Sequence, residues 1–335
     1  MEGNNKIIVI LGSTSSGKSD VAIRLAKKFN GEIISADSRQ IYRGLDIGTG
    51  KITKAEQKLA KHYMIDIVSP RTNYNAAKFK KDAEKIIKDI LKRGKLPIIC
   101  GGTGFWIKAI VDNVIYPEVK PDWKLRNYLR NYSAEKLFTM LKKLDPQRAK
   151  SIDAKNKVRL IRAIEICKTL GKVPSPHSTS SNDPLPKGEG GRRNSSSPLG
   201  RGCRVFATGE GSKLKPRNYN FLQIGINLPK EKLHQNIEKR LRKRFAKGMI
   251  REVENLHSKE KLSWKKIESF GLGYFLIPKY LRGEIATKEE LFQKILRAEK
   301  DYAKRQMTWF RKDTRIKWID EYKKTESEIN KFLKK

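Results

Sequence analysis

The first third of the chain alternates between short apolar runs and segments with apolar residues at helical spacing. Lys6–Leu11, KIIVIL, is a β-branched apolar run that ends at Gly12, which is typical of a buried parallel strand. Asp20–Phe29 then places apolar side chains on one helical face. The same alternation predicts a strand, a helix and a further strand over Glu32–Ser35, Tyr74–Lys92 and Leu96–Cys100. Such alternation predicts an α/β fold with a parallel sheet.

The middle of the chain has a different pattern. Trp123–Leu170 reads as amphipathic helices rich in basic residues, which predicts an all-helical subdomain inserted into the α/β layer. Residues 173–218 are dominated by Pro, Gly, Ser and Arg and lack a periodic apolar signal. We therefore expect a disordered basic loop there, and a tolerated insertion is favoured over an arm that contacts RNA.

The α/β pattern returns after this segment. It predicts a strand over Tyr219–Asn227, a long helix over Lys230–His257 interrupted only by Gly248, and another helix over Glu289–Phe310. The predicted organisation is an α/β catalytic core over 1–115 and 219–320, a helical insertion over 116–172, a disordered basic low-complexity insertion over 173–218 and a basic tail over 321–335.

Basic residues far outnumber acidic ones. The 335 residues include 74 Lys and Arg against 36 Asp and Glu, which leaves a formal net charge of +38. A lysine-rich genome or a heat-adapted surface would raise Lys and Glu together, so this excess favours a polyanionic partner, above all a nucleic acid.

Other features argue against a membrane protein and against a cysteine-based site. No apolar run approaches the roughly 20 residues of a membrane span, and no signal peptide is visible, so we expect a cytoplasmic protein without membrane attachment. Cys100, Cys167 and Cys203 show neither a CxxC pair nor metal-ligand spacing with the four histidines. Neither a disulfide framework nor a zinc site is therefore expected.

A glycine-rich loop connects the first predicted strand and helix. Gly12–Ser19, GSTSSGKS, fits the pattern G-x-x-x-x-G-K-[ST] in the strand-to-helix position that the pattern requires. In such a loop backbone N–H groups surround phosphate oxygens, Lys18 adds a positive charge, and the Ser19 hydroxyl can ligate Mg²⁺. The sequence therefore predicts a P-loop NTPase-like parallel sheet with flanking helices that holds a diphosphate or triphosphate. ATP or GTP would be the ordinary ligand.

Two more groups are expected at the carboxyl edge of the same sheet, where ligands of such folds bind. Asp37 follows the second strand, and Thr103 follows the third within CGGTGF. Asp37 is a candidate catalytic carboxylate, although an Asp that caps a turn with Ser38 fits the position equally well. Glycines around Thr103 allow a close-approach turn that brings its hydroxyl to this edge, and a packing turn is the alternative.

These residues alone leave several functions open. A kinase for a nucleotide or a small metabolite would use the same loop, and a non-catalytic RNA-binding protein would explain the charge. The last long helix carries a basic face, as RNA contacts do, formed by Lys300, Lys304, Arg305 and Arg311. Candidates for stacking on bases, for which core packing is the favoured alternative, are Phe105, Trp106, Trp309 and Phe310.

Over nearly its whole length the chain resembles the tRNA dimethylallyltransferases, also called tRNA isopentenyltransferases. Six stretches carry the resemblance in the family's order: GSTSSGKSDVAIRLA, IISADSRQIYRGLDIGTGK, KHYMIDIVSPRTNYNAAKFKKDA, LPIICGGTGFWIKAI, NKVRLIRAIEI and YAKRQMTWFRKD. The resemblance implies transfer of a dimethylallyl group from dimethylallyl diphosphate to N6 of the adenosine just 3′ of the anticodon in tRNA. It also implies a monomer.

The resemblance implies roles for individual residues. Asp37 would hydrogen-bond the N6 amine and act as general base, Thr103 would contact the leaving oxygen, and Lys18 would complete the catalytic set. The donor's diphosphate would be bound, with Mg²⁺ at Ser19, by Gly12, Ser13, Thr14, Ser15, Ser16, Gly17, Lys18, Ser19 and Arg240. The residues expected to contact the anticodon stem-loop are Asp37, Ser38, Arg39, Gln40, Lys155, Asn156, Lys157, Val158 and Arg159, with Lys304 and Arg305 from the basic face.

The chain departs from the family pattern at several places. Tyr63 stands where the family usually has the second of two adjacent histidines. Phe275 and Leu276 follow Tyr274 where a polar residue or arginine is common, which weakens the expectation that Gly271–Leu276 contacts tRNA. The segment 173–218 is longer than the usual connection, and the zinc-finger tail of eukaryotic relatives is missing, which favours a bacterial-type enzyme.

Overall fold

A computed structural model describes residues 5–173 and 219–334. The described residues up to Val114 and those from 219 onward form one compact unit, and residues 115–173 form a second. The predicted disordered insertion, apart from Val173, and Cys203 within it lie outside the described residues.

The larger unit is built on a six-stranded sheet in which every pair of neighbouring strands is parallel. The strand order is β3-β2-β4-β1-β5-β6. The strands are β1 (Lys6–Leu11), β2 (Gly31–Ser35), β3 (His62–Tyr63), β4 (Leu96–Gly101), β5 (Asn220–Ile226) and β6 (Lys317–Ile319). All of Ile7–Leu11 is buried, because helices cover both faces of a parallel sheet. The predicted parallel α/β fold is confirmed.

Fourteen helices are present in the described part of the chain, and four of them, α5 to α8, belong to the smaller unit. In chain order they are α1 (Lys18–Lys28), α2 (Lys54–Leu59), α3 (Ala76–Lys92), α4 (Gly104–Val111), α5 (Trp123–Arg130), α6 (Ala134–Leu144), α7 (Pro146–Ser151), α8 (Lys157–Leu170), α9 (Lys230–Ala246), α10 (Met249–Ser258), α11 (Trp264–Glu268), α12 (Gly273–Leu281), α13 (Lys288–Phe310) and α14 (Tyr322–Lys334). None of these helices is both long and apolar enough to cross a membrane.

The helix boundaries follow from local chemistry. Asn75 caps α3 by accepting the N–H of Lys78, so this helix begins two residues later than the pattern predicts. Gly248 has φ of 89°, a left-handed conformation that ends α9 and allows α10 to start in a new direction. The predicted helix over Lys230–His257 is therefore two helices.

The end of the chain folds into a helix and a short strand. The predicted basic tail contains α14, whose Ile329 is fully buried in the core cluster beside α1. The short strand β6 was not predicted from the sequence either. It pairs with β5, with Gly225 opposite Trp318. A side chain at Gly225 would lie only 2.6 Å from the Trp318 ring, so this glycine allows the two strands to pair.

The smaller unit is a helical cluster with its own apolar core. Fully buried leucines from three helices and an isoleucine meet there, namely Leu129, Leu137, Leu141, Leu160 and Ile164. The helices start at polar caps that accept backbone N–H groups, namely Asp122, Ser133, Asp145 and Asn156. Buried Glu165 pairs with Arg126 and Arg162, which satisfies its charge.

Candidate active site

The phosphate loop lies between the end of β1 and the start of α1. Gly12 and Gly17 have positive φ angles of 156° and 84°, which suit glycine. A side chain at Gly12 would come within 3.0 Å of both the Ile226 carbonyl and the Ser16 hydroxyl. Ser15 also has a positive φ, 61°, so the loop holds one non-glycine residue in a left-handed conformation.

Two hydroxyls inside the loop lack partners. The side-chain oxygens of Ser15 and Ser16 are buried and have no hydrogen-bond partner among the described residues. Buried polar groups are nearly always paired, so these two favour a ligand that accepts hydrogen bonds. Together with the N-terminus of α1, they fit the oxygens of a phosphate group.

Two cations flank this loop. Lys18 Nζ donates to the Ser13 carbonyl (3.0 Å), and burial is the main cause that lowers the pKa of this lysine. Arg240 of α9 donates to the Thr14 hydroxyl (3.2 Å) and to the Gly50 carbonyl (2.6 Å). Burial and then neighbouring Arg244 lower the pKa of Arg240 as well. An anionic ligand between these cations would offset the cost of burying them.

The parallel register brings the other predicted groups to the same edge. Leu11 pairs with Gly101, and Ser35 pairs with Cys100, so β1, β2 and β4 end side by side. The segments that follow them carry the phosphate loop, Asp37 and Thr103. Side chains that are far apart in sequence thus share one site.

Asp37 is half-buried, and its carboxylate is partly engaged. Oδ1 accepts the backbone N–H groups of Arg39 (2.9 Å) and Gln40 (3.3 Å). The turn-capping interpretation of Asp37 therefore holds, although the turn uses residues 39 and 40. Neither bond uses Oδ2, so the same carboxylate can cap the turn and accept a proton.

Thr103 links the end of β4 to the turn after β2. Its N–H donates to the Ala36 carbonyl (3.2 Å), and its hydroxyl accepts the N–H of Ser38 (3.1 Å). A side chain at Gly101 would lie 2.3 Å from the Ala36 carbonyl, so the predicted close approach is present. The Thr103 hydroxyl therefore lies against the turn that carries Asp37.

The site contains a residue that the sequence patterns did not single out. Gln306 of α13 accepts the N–H of Thr14 at Oε1 (2.9 Å) and donates from Nε2 to the Gly102 carbonyl (2.7 Å). The sequence did contain a signal that could have identified Gln306. It is a polar residue on a helical face that also buries Ala303 and Phe310, and a polar residue at such a position indicates a buried hydrogen bond. Lys304 and Arg305, predicted to contact RNA, are exposed on the same helix.

A second unpredicted residue, Glu252 of α10, anchors the loop that precedes α2. Its carboxylate accepts the N–H groups of Asp46 (2.9 Å), Ile47 (2.6 Å) and Gly48 (2.9 Å). Tyr274 donates its hydroxyl to the same carboxylate (2.7 Å). This loop also supplies the Gly50 carbonyl that binds Arg240, so Glu252 helps to hold Arg240 in place.

The departures from the family pattern have different structural settings. Phe275 is exposed, with Lys279 Nζ 4.8 Å from its ring centroid, and Leu276 is half-buried. Tyr63 donates its hydroxyl to Glu32 (2.8 Å) near the start of β2, the end opposite Asp37. The Tyr63 departure therefore lies away from the candidate site.

The four aromatic candidates divide evenly between core and surface. Trp106 stacks on Phe79 with ring centroids 4.3 Å apart, and Phe310 is buried. Stacking on an RNA base is therefore excluded for Trp106 and Phe310 as they stand. Phe105 and Trp309 are 52% and 41% exposed, so both rings form part of the surface.

In the smaller unit the residues predicted to contact tRNA lie at the start of α8. Asn156 caps this helix by accepting the N–H of Arg159 (3.1 Å). Val158 is 79% exposed, which is unusual for an apolar side chain and consistent with a contact surface. Other exposed members of the predicted set are Lys155, Lys157 and Arg159.

A family model and several curated proteins resemble this chain over most of its length. The family model described as IPP transferase matches residues 40–313. A tRNA dimethylallyltransferase of Acetivibrio thermocellus is 39% identical over 322 residues, which cover 94% of this chain and 92% of the relative. A second, from Carboxydothermus hydrogenoformans, is 36% identical over 345 residues, covering 98% of this chain and all of the relative.

Solved structures show the same likeness. The tRNA isopentenylpyrophosphate transferase of Bacillus halodurans has a TM-score of 0.65 at 30% identity, covering 98% of this chain and 95% of that chain. A eukaryotic dimethylallyltransferase described as acting on tRNA has a TM-score of 0.68 at 25% identity, covering 91% of this chain and 69% of that chain. On sequence and structure alike, the chain belongs to the IPP transferase family of tRNA dimethylallyltransferases.

Proposed function

We propose that the protein transfers a dimethylallyl group from dimethylallyl diphosphate to N6 of the adenosine immediately 3′ of the anticodon in tRNA, and releases diphosphate. The observation that carries this proposal is the meeting of a phosphate loop with unpaired hydroxyls, the half-buried Arg240 and the Asp37 carboxylate at one sheet edge. The names of the relatives support the same reaction.

Departure of the diphosphate is the step for which the loop is suited. An aromatic exocyclic amine is a poor nucleophile, so the allylic C1–O bond must stretch and leave negative charge on the diphosphate. Lys18, Arg240 and the loop amides are positioned to stabilise that charge before the reaction begins. Such preorganised electrostatic stabilisation commonly contributes more to catalysis than any other single effect.

Asp37 is proposed to receive the proton. As N6 bonds to C1 of the donor, the amine becomes acidic, and Asp37 Oδ2 accepts a proton while Oδ1 stays bound to the turn. The Thr103 hydroxyl, held beside this turn, is proposed to contact the oxygen that leaves.

We propose that Mg²⁺ binds at the hydroxyl of Ser19, a residue that is exposed at the start of α1. The described residues contain no group of three His, Cys, Asp or Glu side chains arranged for a metal, so most ligands would come from the diphosphate and water. When bound, Mg²⁺ would neutralise charge on the diphosphate. This dependence on substrate oxygens is typical of Mg²⁺ in phosphate sites.

The net charge of +38 suits the proposed tRNA partner. To reach Asp37, the adenine must turn out of the stacked anticodon loop, which costs a few kcal/mol that basic contacts must offset. Ser38, Arg39 and Gln40 follow Asp37 directly and are proposed to contact the displaced nucleotide. We also propose, as the resemblance to the family implies, that the protein is a monomer that acts in the cytoplasm.

The test is transfer itself. The protein is incubated with dimethylallyl diphosphate, Mg²⁺ and unmodified tRNA, and the adenosine 3′ of the anticodon is examined by mass spectrometry. One added isopentenyl group is expected. Binding of tRNA without any gain in mass would support a non-catalytic RNA-binding protein, and phosphate transfer from ATP to a small acceptor would support a kinase.

A further inference from the structure

We infer that Gln306 is a positioning residue for this reaction, and that it sets the distance between the phosphate loop and the Thr103 turn. The inference rests on the proposed function. Gln306 is 7% exposed, and its side-chain amide has one bond to each side of the site, to Thr14 N and to the Gly102 carbonyl.

Both ends of the amide are needed for this link. Oε1 must accept the N–H of Thr14, and Nε2 must donate to a carbonyl, so glutamate would place an acceptor against the Gly102 carbonyl. The fit is also tight. A side chain at Gly102 would lie 2.4 Å from Gln306 Nε2, so glycine is required for the bond to form.

Helix α13 gives this link a rigid base. Glu299, two turns before Gln306, forms a buried ion pair with Arg244 of α9, whose Nη2 donates to both carboxylate oxygens at 2.6 Å. Arg240 lies one turn before Arg244 and contacts the Thr14 hydroxyl. The loop is therefore attached at Thr14 to α13 through the backbone and to α9 through the side chain.

This arrangement assigns a distinct role to Thr14. Its N–H is engaged by Gln306 and its hydroxyl accepts from Arg240, so both of its polar groups hold the loop in place. The buried, unpaired hydroxyls of Ser15 and Ser16 lie beyond this attachment point and remain available for phosphate. Loss of Gln306 should thus disturb donor binding and chemistry while leaving the tRNA-contacting surfaces intact.

Gln306→Leu tests this, because leucine keeps much of the volume and removes both hydrogen bonds. We expect kcat/KM for dimethylallyl diphosphate to fall about ten- to a hundredfold, through a higher KM and a lower kcat. The Kd for tRNA should stay close to the wild-type value. Gln293→Leu makes the same change at an exposed position of the same helix and should behave as wild type.

A double-mutant cycle separates positioning from simple destabilisation. Gly102→Ala should displace Gln306 and give the same rise in donor KM. In a protein that already carries Gln306→Ala, the clash is absent, so Gly102→Ala should raise the donor KM much less than it does in the wild-type protein. If the two effects simply multiply, or if Gln306→Leu keeps the wild-type donor KM and kcat, the inference is overturned.

Binding of inorganic diphosphate, measured by calorimetry, keeps this inference separate from the proposed function. Weaker diphosphate binding by Gln306→Leu than by Gln293→Leu supports the role of Gln306 in holding the loop, whether or not tRNA is modified. Equal binding by both variants contradicts it. Absence of transfer by the wild-type protein would instead contradict the proposed function.

Discussion

Asp37 offers the sharpest test, because its two carboxylate oxygens have different proposed tasks. Oδ1 holds the turn through the N–H groups of Arg39 and Gln40, and Oδ2 is the proposed proton acceptor. Asp37→Asn keeps an oxygen for the turn and removes the base. Asp37→Ala removes both.

The expected magnitudes follow from this division. Loss of a general base costs about two to four orders of magnitude in rate, so both variants should slow transfer by that amount. Only the alanine variant loses the two turn hydrogen bonds, which at about 1 kcal/mol each should lower its free energy of unfolding by roughly 2 kcal/mol. The asparagine variant should unfold at nearly the wild-type urea concentration.

The assay is single-turnover transfer at saturating donor and tRNA, read by mass, with urea unfolding measured on the same samples. Affinity for tRNA, from filter binding, should change little in the asparagine variant. Transfer by Asp37→Asn at the wild-type rate would refute the base role and leave Asp37 as a turn cap.

Three further predictions concern other parts of the molecule. Arg240→Lys keeps the charge but cannot span Thr14 and Gly50, so the KM for dimethylallyl diphosphate in steady-state assays should rise about tenfold, and an unchanged KM would contradict this role. Hydrogen bonds, chiefly from Arg93 and then from Lys95 and Tyr63, hold the pKa of Glu32 well below its usual range. The Glu32 carboxylate therefore stabilises the fold at pH values above its unfolded pKa of about 4.3. In urea unfolding, Glu32→Gln should lower the free energy of unfolding most at neutral pH, and this loss should shrink as the pH falls below that value. A loss that does not depend on pH would contradict this role of Glu32. Ile329→Ala should lower the free energy of unfolding by about 2–4 kcal/mol, whereas a tail with no packing role would show no change.

Much of the core could be predicted from the sequence because the relevant signals are local. KIIVIL gives β1 with the predicted bounds, and the glycine pattern after it gives the loop, whereas α1 begins at Lys18, two residues before the predicted Asp20. Asp37 and Thr103 were expected at the same edge because parallel strands end on one side of a sheet. Their roles in the chemistry stay predictions.

Other parts of the site depend on contacts between distant segments. The amide of Gln306 meets Thr14 across 292 positions of the chain, and Glu252 meets the loop at Ile47 across 205. Periodicity could mark Gln306 as a buried polar residue, but it could not name its partners. The short strands β3 and β6 were also missed, since two or three residues carry too little pattern.

By itself, then, the sequence determined the α/β class, the phosphate loop and the strand ends from which the candidate groups project, because dihedral preferences and hydrophobic periodicity act over a few residues. The tertiary structure alone decided which groups meet there. It attaches Thr14 to two helices, directs Arg240 between the loop and Gly50, and buries Trp106 against Phe79. The physical reason is that these arrangements depend on strand order and helix packing, which satisfy buried polar groups only when distant segments come together.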